Sequence, residues 1–210
     1  MNKNVVMLTG INGTGKSALT KMLHESFPDS VSITASEVLM DVLGGVNRQV
    51  LENMPLAEKM CLKIPALIRL FKLHKLSRYI FLDAHLVIPI RKNGTVIMQN
   101  VWSPKFMPYI NRAYCIISDP QNIMDWRLKD YNKTGRERDT NINNIKKDQL
   151  VNLRAFKEII FPVVNSKIVV NKNDNAKSAF DIIRNDLPLE KKLKNLRYPG
   201  DIVLSRSNVK

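Results

Sequence analysis

The chain has 210 residues, of which 44% are hydrophobic and 25% charged, and this is the size and composition of one globular domain with its own core. Those values exclude a disordered or fibrous protein. The chain also has no run of about 18 apolar residues, which a transmembrane helix would need. The net charge of +14 favours anionic ligands such as nucleotides, with nucleic acid as a further partner of the same basic surface.

The N-terminal segment and the cysteines bear on where the protein works. The first apolar run, Val5–Leu8, is too short for the core of a signal peptide and predicts a strand instead. Cys61 and Cys115 lie far apart in apolar sequence, without metal-ligand spacing. We expect both to be buried, reduced thiols, with a disulfide as the alternative. Together these features predict a cytoplasmic protein that does not bind membranes, and they leave its oligomeric state open.

Short apolar segments with the pattern of strands alternate with helical segments along the chain. Because strands separated by helices form parallel sheets with right-handed crossovers, we predict an α/β fold of three layers, with a five-stranded parallel sheet and helices on both faces. The predicted strands are Val5–Thr9, Val31–Thr34, Tyr79–Asp83, Ala113–Ser118 and Ile168–Asn171.

Helical patterns fill most of the segments between these strands. Pro65 should kink or split the longest of them, while Asp119-Pro120 is a typical helix start. Besides the helix after the first strand and the helix after Asp119-Pro120, the predicted helices are Ala35–Leu43, Leu56–Arg78 and, approximately, Ala176–Asn185.

Two segments interrupt the alternation of strands and helices. Ala84–Pro108 is predicted to be a long loop with a turn at Gly94 and several prolines, and loops of that length usually serve a site. Leu189–Lys210 carries six basic and two acidic residues and is predicted to be a basic tail. The expected organisation is therefore a single domain over residues 1–188 and a tail over residues 189–210.

The segment Gly10–Ser17 reads Gly-Ile-Asn-Gly-Thr-Gly-Lys-Ser and fits the phosphate-binding loop pattern between a strand and a helix. Glycines let the backbone turn its N–H groups toward phosphate oxygens, and the following helix adds its positive end. Lys16 is expected at the β- and γ-phosphates and Ser17 at Mg²⁺. The predicted ATP contacts are Gly10, Asn12, Gly13, Thr14, Gly15, Lys16, Ser17 and Ala18.

An acid and a histidine follow the predicted third strand. Asp83 ends that strand at the carboxyl edge of the sheet, where ligands bind in open α/β folds, and could hold Mg²⁺ or take a proton. His85 could contact the attacking group or a metal-bound water. The alternatives are a turn cap for Asp83 and an ordinary loop histidine for His85.

Arginines cluster after the fourth strand. Arg127 lies on the predicted helix, and Arg136 and Arg138 lie in a glycine-containing segment. Guanidinium groups neutralise the charge of a transferred phosphoryl group, and a mobile segment can close over it. We therefore predict an arginine-bearing lid at about residues 131–140, with a salt-bridged helix end as the alternative because Glu137 and Asp139 are interleaved.

With these features, the chain resembles the archaeal-type adenylate kinases among the P-loop nucleoside monophosphate kinases, from Val5 to Leu187. The strand end Asp83-Ala-His85 is also similar to that of adenylate-kinase-like proteins that act in maturation of the small ribosomal subunit. The resemblance implies ATP, Mg²⁺ and an AMP-like acceptor, with Asp83 and His85 near the metal and the transferred phosphate and the lid arginines gripping that phosphate.

The sequence departs from this family in two places. The lid is about three residues longer, through Lys133-Thr134-Gly135, and the basic tail has no counterpart. In the family, the acceptor is held by residues from the second strand and the helices after it. Ser36 and Arg48 are the candidates for acceptor binding in that region.

Three functions follow from this pattern. The leading hypothesis is a nucleoside monophosphate kinase that converts ATP and AMP into two ADP. The second is a kinase of a hydroxyl acceptor, such as a nucleoside, a 5′-OH nucleic acid or a metabolite, with Asp83 as the base. The third is a nucleotide-dependent factor on RNA or ribosomes with weak ATPase activity, which the net charge and the basic tail motivate.

Overall fold

The computed structural model describes residues 4–92, 95–101, 104–135, 137–172 and 176–188. In these residues, the strands are β1 (Asn4–Thr9), β2 (Ser30–Thr34), β3 (Tyr79–Asp83), β4 (Val87–Lys92), β5 (Thr95–Asn100), β6 (Arg112–Ser118) and β7 (Ser166–Asn171). The α-helices are α1 (Lys16–Ser26), α2 (Ala35–Val42), α3 (Arg48–Asn53), α4 (Leu56–Cys61), α5 (Lys63–Leu73), α6 (Pro120–Thr134), α7 (Ile142–Ala155) and α8 (Lys177–Asp186). A 3₁₀ helix spans Pro104–Tyr109, and a π-helical turn, Phe156–Ile160, follows α7.

Five parallel strands form the central sheet, in the order β2-β3-β1-β6-β7. Alternate residues of β1 enter different hydrophobic clusters. Val5 and Met7 pack in a cluster with residues of α2, α5 and the π-helical turn, whereas Val6 and Leu8 pack with residues of α1 and α8. Both faces of the sheet are therefore covered by helices, as parallel sheets require. The predicted three-layer α/β fold and its five-stranded parallel sheet are confirmed.

The carboxyl ends of the strands lie at one edge of this sheet and define where a site can form. Asp83, the last residue of β3, pairs in register with Leu8 of β1 and with Thr34 of β2. Asn171 ends β7, which pairs with β6 in register at Ser118. The loop Gly10–Ser17 leaves this same edge, since it connects β1 to α1.

The prediction of a loop over Ala84–Pro108 is wrong. β4 and β5 pair antiparallel in a separate two-stranded sheet, and the 3₁₀ helix begins four residues after β5. In the sequence, Asn93-Gly94 separates the two strands, and this dipeptide is the one that favours two-residue hairpin turns. The hairpin signal was therefore present, although Pro89 within β4 weakens it.

The segment Leu56–Arg78 is helical and split in two, as expected from Pro65, but its predicted C-terminal boundary is wrong. The helix splits at Leu62, before Pro65, and α5 ends at Leu73. Pro65 is the third residue of α5 and lies in its first turn, where a missing N–H interrupts no helical hydrogen bond. The helices α3 and α7 are additional elements that the sequence patterns did not identify.

The two cysteines have different environments. Cys115 is buried in β6, where burial raises the pKa of its thiol to about 12. Cys61 is exposed, so its predicted burial is wrong: it lies on α4, a short helix with no buried residue. Both are free thiols.

None of the described helices is long and apolar enough to cross a membrane. The predicted basic tail, residues 189–210, lies outside the described residues, and so does Arg136 of the predicted lid.

Candidate active site

The loop Gly10–Ser17 has a shape that only glycine permits at two of its positions. Gly10 has a φ of 148°, and a Cβ atom there would lie 2.4 Å from the carbonyl oxygen of Ile116. Gly15 has a φ of 86°, and its Cβ atom would lie 2.5 Å from Nδ2 of Asn171. The backbone can therefore curl tightly against β6 and β7, as a loop that presents its N–H groups to an anion must.

Lys16 is held inside the mouth of this loop. Its side chain is buried, its Nζ atom donates a hydrogen bond to the carbonyl oxygen of Ile11 at 3.0 Å, and Asp83 Oδ1 lies 3.9 Å away. Burial lowers the pKa of Lys16, and the Asp83 carboxylate opposes that shift. The ammonium group is thus already inside the loop, where an incoming phosphate would supply anionic oxygens.

Ser17 and Asp83 form the oxygen pair of the site. The Ser17 hydroxyl donates a hydrogen bond to Asp83 Oδ2 at 2.6 Å. A hydroxyl and a carboxylate at this distance fit Mg²⁺, which prefers oxygen ligands and completes its shell with water and phosphate oxygens. No group of three or more His, Cys, Asp or Glu side chains that could hold a metal ion occurs among the described residues.

His85 borders the other side of the loop. Its Nδ1 atom lies 3.0 Å from the carbonyl oxygen of Gly10. Because a carbonyl oxygen can only accept, this contact assigns the proton to Nδ1. Burial, followed by the nearby positive charge of Lys16, lowers the pKa of His85 to about 4. The imidazole is therefore neutral, with an unprotonated Nε2.

Arg127 lies beneath the loop. This buried side chain on α6 donates from Nε and Nη2 to the carbonyl oxygen of Asn12, at 3.0 and 2.9 Å. Its Nη1 atom donates to the carbonyl oxygen of Asp139. The guanidinium group thereby connects the phosphate loop to the segment that carries Arg138, and it acts on the site through the backbone of both.

Arg138 follows the end of α6, which stops at Gly135 with a left-handed φ of 69°. The Arg138 guanidinium pairs with Asp130 at 3.2 Å. This pairing holds the cation close to α6.

A cavity of about 560 Å³ opens over the loop at the carboxyl edge of the sheet. It brings together most of the predicted site residues, while Gly10, Thr14 and Arg127 are not in its lining. The predicted residues that line it are Asn12, Gly13, Gly15, Lys16, Ser17, Ala18, Ser36, Arg48, Asp83, His85 and Arg138.

Polar side chains from β2, α2 and α3 form one end of this cavity. The exposed Arg48, the first residue of α3, donates from Nη2 to the Ser36 hydroxyl at 3.1 Å. That hydroxyl lies 3.0 Å from the hydroxyl of Thr34, which caps α2. Two hydroxyl groups and a guanidinium group therefore line this end of the cavity.

Sequence reasoning missed Trp126 and Asn171, which also line the cavity. Asn171 is buried, and its Nδ2 donates to the carbonyl oxygen of Thr14 at 3.0 Å. Among the described atoms, its Oδ1 has no hydrogen-bond partner. Asp83 was identified because it is a polar residue at the carboxyl end of a predicted strand. Asn171 ends another predicted strand at the same edge, so the same reasoning could have found it. No comparable signal marked Trp126.

Solved structures with this fold include shikimate kinases of low sequence identity. Shikimate kinase from Bacteroides thetaiotaomicron aligns with a TM-score of 0.53 at 12% identity, over 87% of this chain and 96% of that one. Shikimate kinase from Acinetobacter baumannii, in complex with shikimate, gives 0.53 at 11%, over 89% and 96%. A chain of an RNA repair complex gives 0.51 at 12%, over 76% of this chain and 47% of that one. The similarity confirms the P-loop kinase fold.

No family model and no curated protein matches the chain. At 12% identity or less, the structural similarity is one of fold alone, so the residues of the cavity itself must indicate the substrate.

Proposed function

We propose that this protein is an ATP-dependent kinase that transfers the γ-phosphoryl group to a small acceptor, and that the acceptor is a nucleoside monophosphate. The observation that supports the proposal most directly is the cavity itself. It joins the phosphate loop with Lys16 and the Ser17–Asp83 pair at one side to the Ser36–Arg48 pair at the other. A donor and an anionic acceptor can therefore meet over the loop.

On the donor side, the loop N–H groups and the start of α1 would hold the phosphates. Trp126 lies within 3.8 Å of the Cβ position of Gly15 and offers a flat apolar surface for the base of the nucleotide. Bound Mg²⁺ would neutralise charge on the phosphate oxygens, and Ser17 and Asp83 are the residues that would hold it.

Positive charge is the main contribution of this chain to phosphoryl transfer, because the transition state places charge on the oxygens of the transferred group. Lys16 and Arg138 line the cavity and can neutralise it. Arg127 is a positioning residue, since it fixes the backbone of Asn12 and Asp139.

The pairing of the carboxylates favours a phosphate acceptor over a hydroxyl acceptor. In the described lining of the cavity, the carboxylates belong to Asp83 and Asp130. Asp83 accepts a hydrogen bond from Ser17 and faces Lys16, and Asp130 pairs with Arg138. A phosphate acceptor is already anionic and needs cations to bring it in, whereas a hydroxyl acceptor needs a base.

A hydroxyl acceptor is the second candidate, and two observations favour it. The solved shikimate kinases share the fold, and one of them is in complex with shikimate. In addition, the neutral His85 imidazole lines the cavity with an unprotonated Nε2 and could accept a proton from an attacking hydroxyl group.

One assay separates these candidates. The protein is incubated with Mg·ATP and a panel of nucleoside monophosphates, nucleosides, shikimate and 5′-OH oligonucleotides, and ADP and the phosphorylated products are measured. We expect turnover with monophosphates only. Turnover only with a hydroxyl acceptor would support the second candidate, and ADP release that ignores every acceptor would rule out both.

The role of Arg48 provides a sharper test with a matched control. Replacing Arg48 with Ala should raise the KM for the monophosphate by about tenfold or more, since a charge-assisted hydrogen bond is removed. The KM for ATP should stay unchanged. Arg154→Ala removes another exposed arginine, which pairs with Glu158 on the surface, and should change neither constant. An equal effect of the two variants would remove Arg48 from the acceptor site.

A further inference from the structure

The outer face of α5 exposes a row of apolar side chains. Ile64 and Ile68 are four residues apart, with exposed fractions of 37% and 50%, and such a spacing keeps side chains on one side of a helix. Leu76, eight residues after Ile68, is 79% exposed. Leu76 lies just beyond the end of α5. The opposite face of the helix is buried through Ala66 and Leu70, so the exposed row is additional to what the core requires.

Part of this face is concave. Ile68, Phe71, Lys72 and Lys75 line a shallow, open cavity of about 600 Å³. The Phe71 ring packs against Tyr109 of the 3₁₀ helix, with ring centroids 5.6 Å apart and planes tilted by 50°. The contact with Tyr109 therefore supports the one aromatic ring, Phe71, in the described lining of this cavity. We call the surface formed by Ile64, Ile68, Phe71, Lys72, Lys75 and Leu76 the α5 groove.

The charge of the α5 groove is entirely positive. Residues 61–78 contain five lysines and arginines and no aspartate or glutamate. Arg69 is paired with Asp41 at 2.6 Å. Lys72 and Lys75 lie on the wall of the groove instead. An occupant would therefore have to be anionic at its rim and apolar at its centre.

From this complementarity we infer that the α5 groove binds an acidic, amphipathic helix of a protein partner. Leucine-like side chains of such a helix would cover Ile68 and the Phe71 ring, and its carboxylates would face Lys72 and Lys75. This is the helix-in-groove mode of recognition, with anchors every three to four residues. The inference concerns a surface separate from the ATP cavity and does not depend on the proposed kinase activity.

Other occupants fit the groove less well. A second copy of the chain would bring the same lysines together, and the basic tail, with six basic and two acidic residues, would add repulsion. A nucleic acid could pair with the lysines but would leave Ile64, Ile68 and Leu76 without an apolar partner. A lipid surface is the remaining occupant, and binding to phosphatidylserine vesicles distinguishes it from a peptide helix.

The test uses a synthetic peptide of about 18 residues, long enough to form a helix, with leucines on one face and glutamates on the others. A scrambled peptide of the same composition is its control. Binding to the full chain, without ATP, is followed by fluorescence anisotropy. We expect the helical peptide to bind at least about tenfold more tightly than the scrambled one, a difference of about 1.4 kcal/mol.

Variants of the protein locate the binding surface. Lys72→Glu with Lys75→Glu, and separately Leu76→Ser, should each weaken peptide binding by about tenfold or more. Lys146→Glu with Lys147→Glu makes the same change of charge on exposed positions of α7, and Val163→Ser removes another exposed apolar side chain. Both controls should bind like the unmodified chain. Circular dichroism of each variant checks that the helices are retained.

Three outcomes would overturn the inference. The first is equal affinity for the helical and scrambled peptides. The second is an equal loss in the α7 charge control, which would indicate general attraction to a basic protein. The third is a groove-dependent affinity for an oligouridylate or for phosphatidylserine vesicles without any for the peptide, which would assign the groove to nucleic acid or membrane instead.

Discussion

At the scale of single residues, Asp83 connects the parts of the candidate site. One carboxylate oxygen accepts from the Ser17 hydroxyl at 2.6 Å, and the other faces Lys16 at 3.9 Å. The acid can hold this position because it ends β3 in register with Leu8 and Thr34, directly beside the phosphate loop. The hydroxyl, the carboxylate and the ammonium group thus form one cluster before any ligand binds, which reduces the rearrangement that binding requires.

Lys16 is the residue on which phosphoryl transfer should depend most. Lys16→Met keeps much of the length of the buried side chain and removes its charge. We expect phosphoryl transfer to fall by at least about 10²-fold, the effect typical of removing one transition-state interaction. Lys21→Met, on an exposed position of α1, is the matched control. Full activity of the Lys16 variant in a coupled ADP assay would exclude the assigned role of the loop.

Trp126 should affect the donor and leave the acceptor unaffected. If the indole supports the nucleotide base beside Gly15, Trp126→Ala should raise the KM for ATP by about tenfold, since stacking of a base on an aromatic ring contributes about 1–3 kcal/mol. Trp126→Phe should retain most of the affinity. Equilibrium binding of a fluorescent ATP analogue gives the same comparison without turnover. An unchanged affinity in the Ala variant would place the base elsewhere.

At the scale of elements, α8 is attached to the opposite edge of the sheet through Asp186. Tyr114 donates to Asp186 Oδ2 at 2.8 Å, Arg112 at 3.1 Å, and Lys167 binds Oδ1. Partial burial alone would raise the pKa of Asp186. The hydrogen bonds from Lys167 and Tyr114 and the charge of Arg112 outweigh it and lower that pKa. One carboxylate therefore connects α8 to β6 and β7.

This network makes a prediction about stability and pH. Because the pKa of Asp186 is lower in the folded state, the ionised carboxylate stabilises the fold at pH values above about 4, the pKa of an aspartate in the unfolded chain. This stabilisation is lost as the pH falls through the pKa of Asp186 in the folded state. Asp186→Asn should therefore lower the free energy of unfolding at pH 7 by about 1–3 kcal/mol.

The difference in the free energy of unfolding between Asp186→Asn and the unmodified chain should shrink as the pH falls below about 4. Urea unfolding curves at several pH values measure it, and Asp181→Asn on the same helix is the control. A difference that stays constant down to acidic pH would show that the charge of Asp186 is not what stabilises this junction.

The strands could be predicted because each has a pattern that is visible over a few consecutive residues. Tyr79–Asp83 is buried at all five positions, and its apolar run ends on an acid, so both the strand and Asp83 followed from the sequence. The same holds for the loop Gly10–Ser17, whose glycine spacing reflects a backbone shape. These features depend on neighbours along the chain and little on the rest of the fold.

The features that sequence reasoning missed depend on packing between distant segments. α3 has six residues, too few for a periodic pattern. Arg48 and Ser36 could be named as acceptor candidates only from family resemblance, and the hydrogen bond between them could not be predicted. The role proposed for Trp126 depends on the approach of α6 to Gly15, which no local sequence pattern indicates. The exposure of Cys61 likewise follows from α4 having no buried residue, although Met60 and Leu62 flank this cysteine in the sequence.

At the scale of the whole molecule, the net charge of +14 exceeds what one nucleotide site requires. Lys16, Arg48 and Arg138 line the cavity over the phosphate loop, and further lysines lie on the α5 groove. The segment Leu189–Lys210 adds six basic residues against two acidic ones. This surplus is the basis for the alternative in which the protein acts on RNA or ribosomes.

The tail provides the test of that alternative. If it contributes to RNA binding, deleting Leu189–Lys210 should weaken the affinity for a single-stranded RNA and flatten its dependence on salt, by about 0.7 in the log–log slope for each phosphate that the tail neutralises.

A second variant, in which the six basic residues of the tail become glutamine, separates charge from length and should behave like the deletion. Fluorescence anisotropy titrations at several salt concentrations measure both quantities. Phosphoryl transfer to the small acceptor should continue at the same rate in both variants, because the predicted site residues all precede the tail in the sequence. An unchanged salt slope in both variants would count against nucleic acid as the partner of the tail.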